Sequence, residues 1–164
     1  MNNEVLVQMV LTSWNKYITQ TDELVNHFSD EELLSEIAPG RNRGIYILGH
    51  LVAIHDKMLP LLGMGPEVNA DLFEVFVTNP DSKRATAFAV KQLKERWSTQ
   101  NELFANYFQR VKTDEWFDKH TQVSEEDFKK DPKRNRLNIV LTRIPHLTYH
   151  FGQLKLLKSD KGQI

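Results

Sequence analysis

The chain has 164 residues, 40% hydrophobic and 10% aromatic, enough for one buried core in a single domain spanning 1–164. Its 21 basic and 22 acidic side chains leave a formal net charge of −1, with no basic run interleaved with aromatics, which argues against nucleic acid as a partner. It has no cysteine, so disulfides, thiolate zinc knuckles and cysteine nucleophiles are excluded and any metal site must use His, Asp or Glu.

The N-terminal Met1-Asn2-Asn3-Glu4 lacks a charged-then-apolar signal pattern. No apolar run approaches the roughly 18 residues that span a bilayer, and the expectation is a cytoplasmic protein without a membrane partner. From about Glu4 to Phe28, Val5, Leu6, Met9, Val10, Trp14, Tyr17, Ile18, Leu24, Val25 and Phe28 recur at three-to-four spacing and predict an amphipathic helix. Ser29-Asp30-Glu31-Glu32 reads as a capping box opening a short helical turn. Ala38-Pro39-Gly40 breaks the pattern.

Asn42 is the predicted N-cap of a second long helix from Gly44 to about Leu62, apolar nearly all round and therefore deeply buried. Gly49 inside it costs up to about 1 kcal/mol against Ala, which makes sense if another backbone or a ligand comes close. Gly63, Gly65 and Pro66 end this helix, and a connection to Pro80 carries a short helical piece at 71–76. Its Phe73 and Phe76 either line a cleft or plug the end of the core, and the plug is the favoured reading. Asn79-Pro80 predicts the start of a third long helix, continuing to about Val111 with Phe88, Leu93, Trp97, Phe104, Tyr107, Phe108 and Val111 inward.

Residues 112–136 are polar, with a short helix from Ser124 to Phe128, and the Lys129, Lys130, Lys133, Arg134 and Arg136 cluster reads as a solvated loop and helix start. The last helix, about Leu137 to Lys158, carries a seam of Leu137, Val140, Ile144, Leu147, Phe151 and Leu154. Pro145 within it should kink the helix. Four long helices, short extra helices in the connections and no alternating strand pattern predict an all-α fold, an antiparallel up-and-down four-helix bundle. The aromatic surface of Trp14, Tyr17, Trp97 and Tyr107 points to a homodimer.

Four residues turn a helix about 40° beyond a full circle, so His146 and His150 stack on one face, beside the apolar seam, and can share a metal ion. A third ligand must come from elsewhere. His50, among Ile47 and Ile54, must be neutral and hydrogen-bonded, or bound to metal. His55 is about 140° away from it on the wheel and should not share its site. Two readings stay open from the residues alone: a metal site, or satisfied core histidines with a chance pair. Gln153 either orients a ligand histidine or bonds a neighbouring helix.

Gly49-His50-Leu51 in the second helix, with His146-x-x-x-His150-x-Gly152-Gln153 in the last, resembles the DinB-like (YfiT-like) superfamily of metal-binding four-helix bundles over nearly the whole chain. The resemblance implies a divalent ion held by His50, His146 and His150, leaving His27, His55 and His120 outside, and an enzyme acting on a small molecule, with a low-molecular-weight thiol as cosubstrate in several members. It also implies a dimer. Many members carry Arg directly after the last histidine, where this chain has Phe151.

Three imidazoles leave coordination positions open, as catalytic zinc sites do, and suit Zn²⁺ or Ni²⁺ first, Fe²⁺ or Mn²⁺ after them. An open metal can lower the pKa of a bound water or thiol, so the expectation is a metal-dependent S-transferase or hydrolase. No general base is identifiable; Tyr149 and Asp56 are candidates by proximity in sequence. The alternative is a non-catalytic bundle acting by dimerisation or partner binding.

Overall fold

Asn2 caps the first helix, its side-chain oxygen accepting the Glu4 amide at 3.1 Å, and α1 runs over Asn3–His27. In this computed structural model, which describes residues 2–158, there follow α2 (Asp30–Leu33), α3 (Gly44–Asp56), α4 (Met58–Leu62), α5 (Val90–Phe108), α6 (Glu125–Lys130) and α7 (Arg136–Leu154). Met1 and residues 159–164 of the expected domain lie outside the described residues. The fold is all-α, and among the described residues only two isolated bridges, Glu36 with Arg43 and Lys119 with Asn135, resemble β pairing.

Local chemistry explains most boundaries. The capping box forms as read: Ser29 Oγ accepts the Glu32 amide at 3.1 Å and Glu32 Oε2 accepts the Ser29 amide at 2.7 Å. Ser124 and Asn135 cap α6 and α7 in the same way, each accepting an amide three residues on. Gly63, at φ 76°, closes α4 in the left-handed conformation. The second long helix is interrupted at Lys57 and begins after Arg43 rather than after a capping Asn42. Asp81 takes over the missing cap: its carboxylate accepts the Arg43 amide at 2.8 Å and the Arg43 Nη2 at 2.6 Å.

The third long helix begins ten residues later than Asn79-Pro80 suggested, at Val90. Asn79 instead bonds backward, donating to the Glu74 carbonyl at 2.7 Å and ending a wide π-type turn at Glu74–Thr78; a 3₁₀ turn at Lys83–Ala87 fills the interval. Phe88 still packs inward, from the loop.

Two apolar clusters, one at each end of the helices, fix their directions. Val7, Val10 and Trp14 of α1 join Met58, Leu59 and Leu62 of α4, Phe104 and Phe108 of α5, and Leu137, Val140 and Ile144 of α7. Leu24 and Val25 of α1 join Ile45, Leu48 and Val52 of α3, Leu93 and Trp97 of α5, and Leu147 and Leu154 of α7. Thus α1 and α7 run one way, and α3 with α5 the other. The strict alternation expected of an up-and-down bundle does not hold, because the connection 63–89 runs back along α3 before α5 begins. It leaves the Asp56 end, where Asp56 accepts the Val68 and Asn69 amides at 3.2 and 2.8 Å, and reaches the opposite end, where the Tyr46 hydroxyl donates to the Asn79 carbonyl at 2.6 Å.

Trp14 and Trp97 are buried and belong to the core, so these two supply no dimer surface, whereas Tyr17 and Tyr107 pack against the same clusters and stay partly exposed. The stretch Gly44–Leu62 is apolar and long enough to cross a membrane, contrary to the reading of the sequence, but most of it is buried inside the protein.

Candidate metal centre

Phe76 is fully buried, and its ring plugs the core against α3 at Gly49. A Cβ on Gly49 would lie 2.5 Å from that ring, so the close approach that this glycine permits is to an aromatic side chain. The packing delivers the π-type turn to the next residue of α3. His50 Nδ1 lies 2.8 Å from the Phe76 carbonyl, which can only accept, so the proton sits on Nδ1 and Nε2 presents a bare lone pair. Tyr46, one turn earlier, stacks on the imidazole with ring centroids 6.4 Å apart.

α7 brings the other two. It continues through Pro145, and His146 and His150 project from one face as their spacing requires. The three ring centroids form a nearly even triangle, 5.2 Å from His50 to His146, 4.8 Å from His50 to His150 and 4.6 Å from His146 to His150. The Nε2 atoms of His50 and His146 are 3.1 Å apart, and one nitrogen of each of the three histidines lies within 4.8 Å of the others. Imidazoles bound to one tetrahedral ion at about 2.1 Å stand roughly 3.4 Å apart, so small side-chain rotations suffice to close the triangle.

His150 is oriented as His50 is. Its Nδ1 donates to Gln153 Oε1 at 2.8 Å, and Gln153 Nε2 donates to the Tyr149 hydroxyl at 3.1 Å. Gln153 therefore bonds the histidine rather than a neighbouring helix. His146 Nδ1 is buried and meets no protein partner among the described residues, which leaves His146 the least supported of the three.

Burial holds all three imidazoles neutral. Desolvation, followed by the charges of His150, His50 and Arg143, lowers His146 to about 4. Desolvation and His50 lower His150 to about 4 against the raising effect of its bond to Gln153, and desolvation lowers His50 as well. Near pH 7 all three imidazoles are neutral; His50 and His150 present bare Nε2 lone pairs, while His146 donates its Nε2 proton to His50 and must shift that proton to Nδ1 for an ion to bind. No carboxylate joins it among the described residues, and an all-nitrogen set suits Zn²⁺, Ni²⁺ and Fe²⁺ better than Mg²⁺, Ca²⁺ or Mn²⁺.

The remaining histidines lie elsewhere. His55 is fully buried against Trp14 and Trp97, at centroid distances of 5.0 and 5.4 Å, with neither ring nitrogen bonded. His27 is beside Phe28, and His120, half-buried rather than fully solvated, accepts the Gln122 amide. Asp56 is not available as a base, because its two oxygens accept from Val68, Asn69 and Gln100 and are spent on holding the connection to α3 and α5. Tyr149 is 63% exposed and reaches the cluster only through Gln153. Phe151, in the position where the resembled superfamily often has Arg, packs on Tyr17 with centroids 6.5 Å apart.

Two features escaped the reading of the sequence. The Phe76 carbonyl carries no residue-type signal, since any residue could supply it. Arg143 had one: it lies three residues before His146, on the same face of α7. A scan of the sequence against protein families finds no match, and a search of curated proteins finds none either.

Proposed function

We propose that this protein is a metal-dependent enzyme in which His50, His146 and His150 hold one divalent ion, Zn²⁺ or Ni²⁺ before Fe²⁺, inside a four-helix bundle of the DinB-like kind. The observation that carries the reading is the meeting of three neutral imidazoles, two of them fixed through Nδ1 by a carbonyl and an amide so that Nε2 faces the centre. A structural zinc site would close its fourth position with a protein ligand, and here the described residues supply three. The ion would supply Lewis acidity at its open positions, which suits transfer to, or hydrolysis of, a small electrophile, with a low-molecular-weight thiol as one candidate cosubstrate. The protein's own part is to present three neutral imidazoles, to orient His50 and His150, and to back the site with the apolar packing of Phe76 and Gly49. We place this activity in the cytoplasm.

Metal analysis after exposure to Zn²⁺ or Ni²⁺ tests the reading. One equivalent is expected in the wild type and in His120→Ala, and little in His150→Ala, with the melting temperature rising only where metal binds. Unchanged melting in every protein, with no ion retained, would refute it.

A second reading, a bundle acting through association, has one observation in its favour. Val5 and Met9 on α1 are 53% and 65% exposed and line a shallow depression with Gln8, Thr12 and Tyr17. A homodimer through this face would show as twice the 19.1 kDa monomer mass in sedimentation. Loss of the dimer in Met9→Lys would identify the surface.

A further inference from the structure

Arg143 occupies the helix face that carries the metal cluster, one turn before His146 and two turns before His150. Its side chain is half-buried, and its Nε is shut off from solvent with no hydrogen-bond partner among the described residues. The described ion pairs engage Arg43, Arg84 and Arg96 and four lysines with a fifth, Lys133, but none engages Arg143. Arg136, two further turns back on the same stripe, also has a buried, unpartnered Nε. The stripe leading to the histidines is therefore cationic and lacks the carboxylates that usually accompany such groups.

A guanidinium with its Nε withdrawn from water and no counter-ion among the described residues is unfavourable in the folded protein, and its planar fork of donors matches a carboxylate or a phosphate. Arg143 stands one turn from His146 on the same face of α7, which puts its charge within reach of the cluster. No Asp or Glu occurs in α7 itself to neutralise it.

We infer that Arg143 is the substrate-binding residue of this site and that the substrate is a small anion, its carboxylate on the Arg143 guanidinium and its reacting end at the metal. This inference rests on the metal reading above. Such a ligand would be held at two points, by the ion and by the fork, and its length would be set by the gap between them.

The test uses the Co²⁺-loaded protein, in which a thiol binding the metal is read by its charge-transfer absorption. The probes are 2-mercaptoethanol, which carries no charge, and a series of ω-mercaptocarboxylates of two to six carbons. One member of the series is expected to bind about tenfold or more tightly than 2-mercaptoethanol, the worth of one charge-assisted pair. Arg143→Gln should erase that preference while leaving the Co²⁺ content unchanged, and Arg143→Lys should restore part of it. If Co²⁺ binds and every thiol binds the wild type equally, the anion inference is wrong and the metal reading stands. If no Co²⁺ binds, the metal reading itself fails and this inference with it.

Discussion

The histidines of the cluster are poor bases because of where they sit, and that fixes the pH at which metal should leave. A free imidazole competes with protons near about pH 6.5. Here burial and mutual repulsion bring His146 and His150 to about 4. Protons should therefore begin to displace the ion only well below 6.5, as the pH approaches about 4, and release should continue below that value. Dialysis of the metal-loaded protein across this range, followed by metal analysis, reads the midpoint. Release centred at 6.5 would mean that the imidazoles are solvated and the described packing around them is wrong. This window was not legible in the sequence, which shows histidine types and spacing but not desolvation. The i, i+4 spacing of His146 and His150 and the apolar neighbours of His50 were legible, and so was Gln153 one turn from His150. Their meeting across a separation of 96 positions rests on the packing of α3 against α7.

At the scale of elements, Gly49 and Gly152 make a controlled pair, both helical glycines and both within the segments that carry ligands. A Cβ on Gly49 would meet the Phe76 ring at 2.5 Å, whereas one on Gly152 would meet nothing within 4 Å. Gly49→Ala is expected to destabilise by about 1–3 kcal/mol through overpacking, and to weaken metal binding because the turn that bonds His50 must shift. Gly152→Ala should instead stabilise by up to about 1 kcal/mol through helix propensity. Denaturant unfolding of both variants with and without Zn²⁺ separates the two effects. Helix existence was legible from period and, at Ser29, from the capping box, whereas the Asn135 cap of α7 emerged only in the structure. The start of α5 was not, because Asn79 and Pro80 offer a cap and first-turn residue that the chain spends on closing the preceding turn. Local signals of equal quality were decided by tertiary packing: Phe76 under Gly49, and Arg43 on Asp81.

For the molecule as a whole, His55 sets a limit on acid stability. It is fully buried with both nitrogens unpartnered, and burial, followed by the charges of His146, Arg143, His50 and His150, lowers its pKa well below the usual range. The unfolded chain takes up a proton at this residue below about pH 6.5, and the folded chain does not, so stability falls as pH drops from that value. The metal-free protein should lose stability progressively between about pH 6.5 and 4, with His50, His146 and His150 adding to the slope in the same direction. His55→Leu should flatten the curve and raise stability at pH 5.5 by about 1–2 kcal/mol, since it removes two unsatisfied buried atoms. Urea midpoints at pH 7.5 and 5.5 measure both. An unchanged pH slope in His55→Leu would show that the ring is not buried alone.

The shared direction of α1 and α7 bears on how the chain is made. Val7, Val10 and Trp14 pack on Leu137, Val140 and Ile144, so α1 finds much of its apolar cover in a helix made more than a hundred residues later. Such pairings across long sequence separation fold slowly and leave apolar surface exposed in the interval, a period in which a nascent chain calls for protection. His50 waits in the same way for His146 and His150. On the proposed metal reading, capture would wait for the closing act of folding, because until α3 packs on α7 an ion finds His50 without the other two imidazoles.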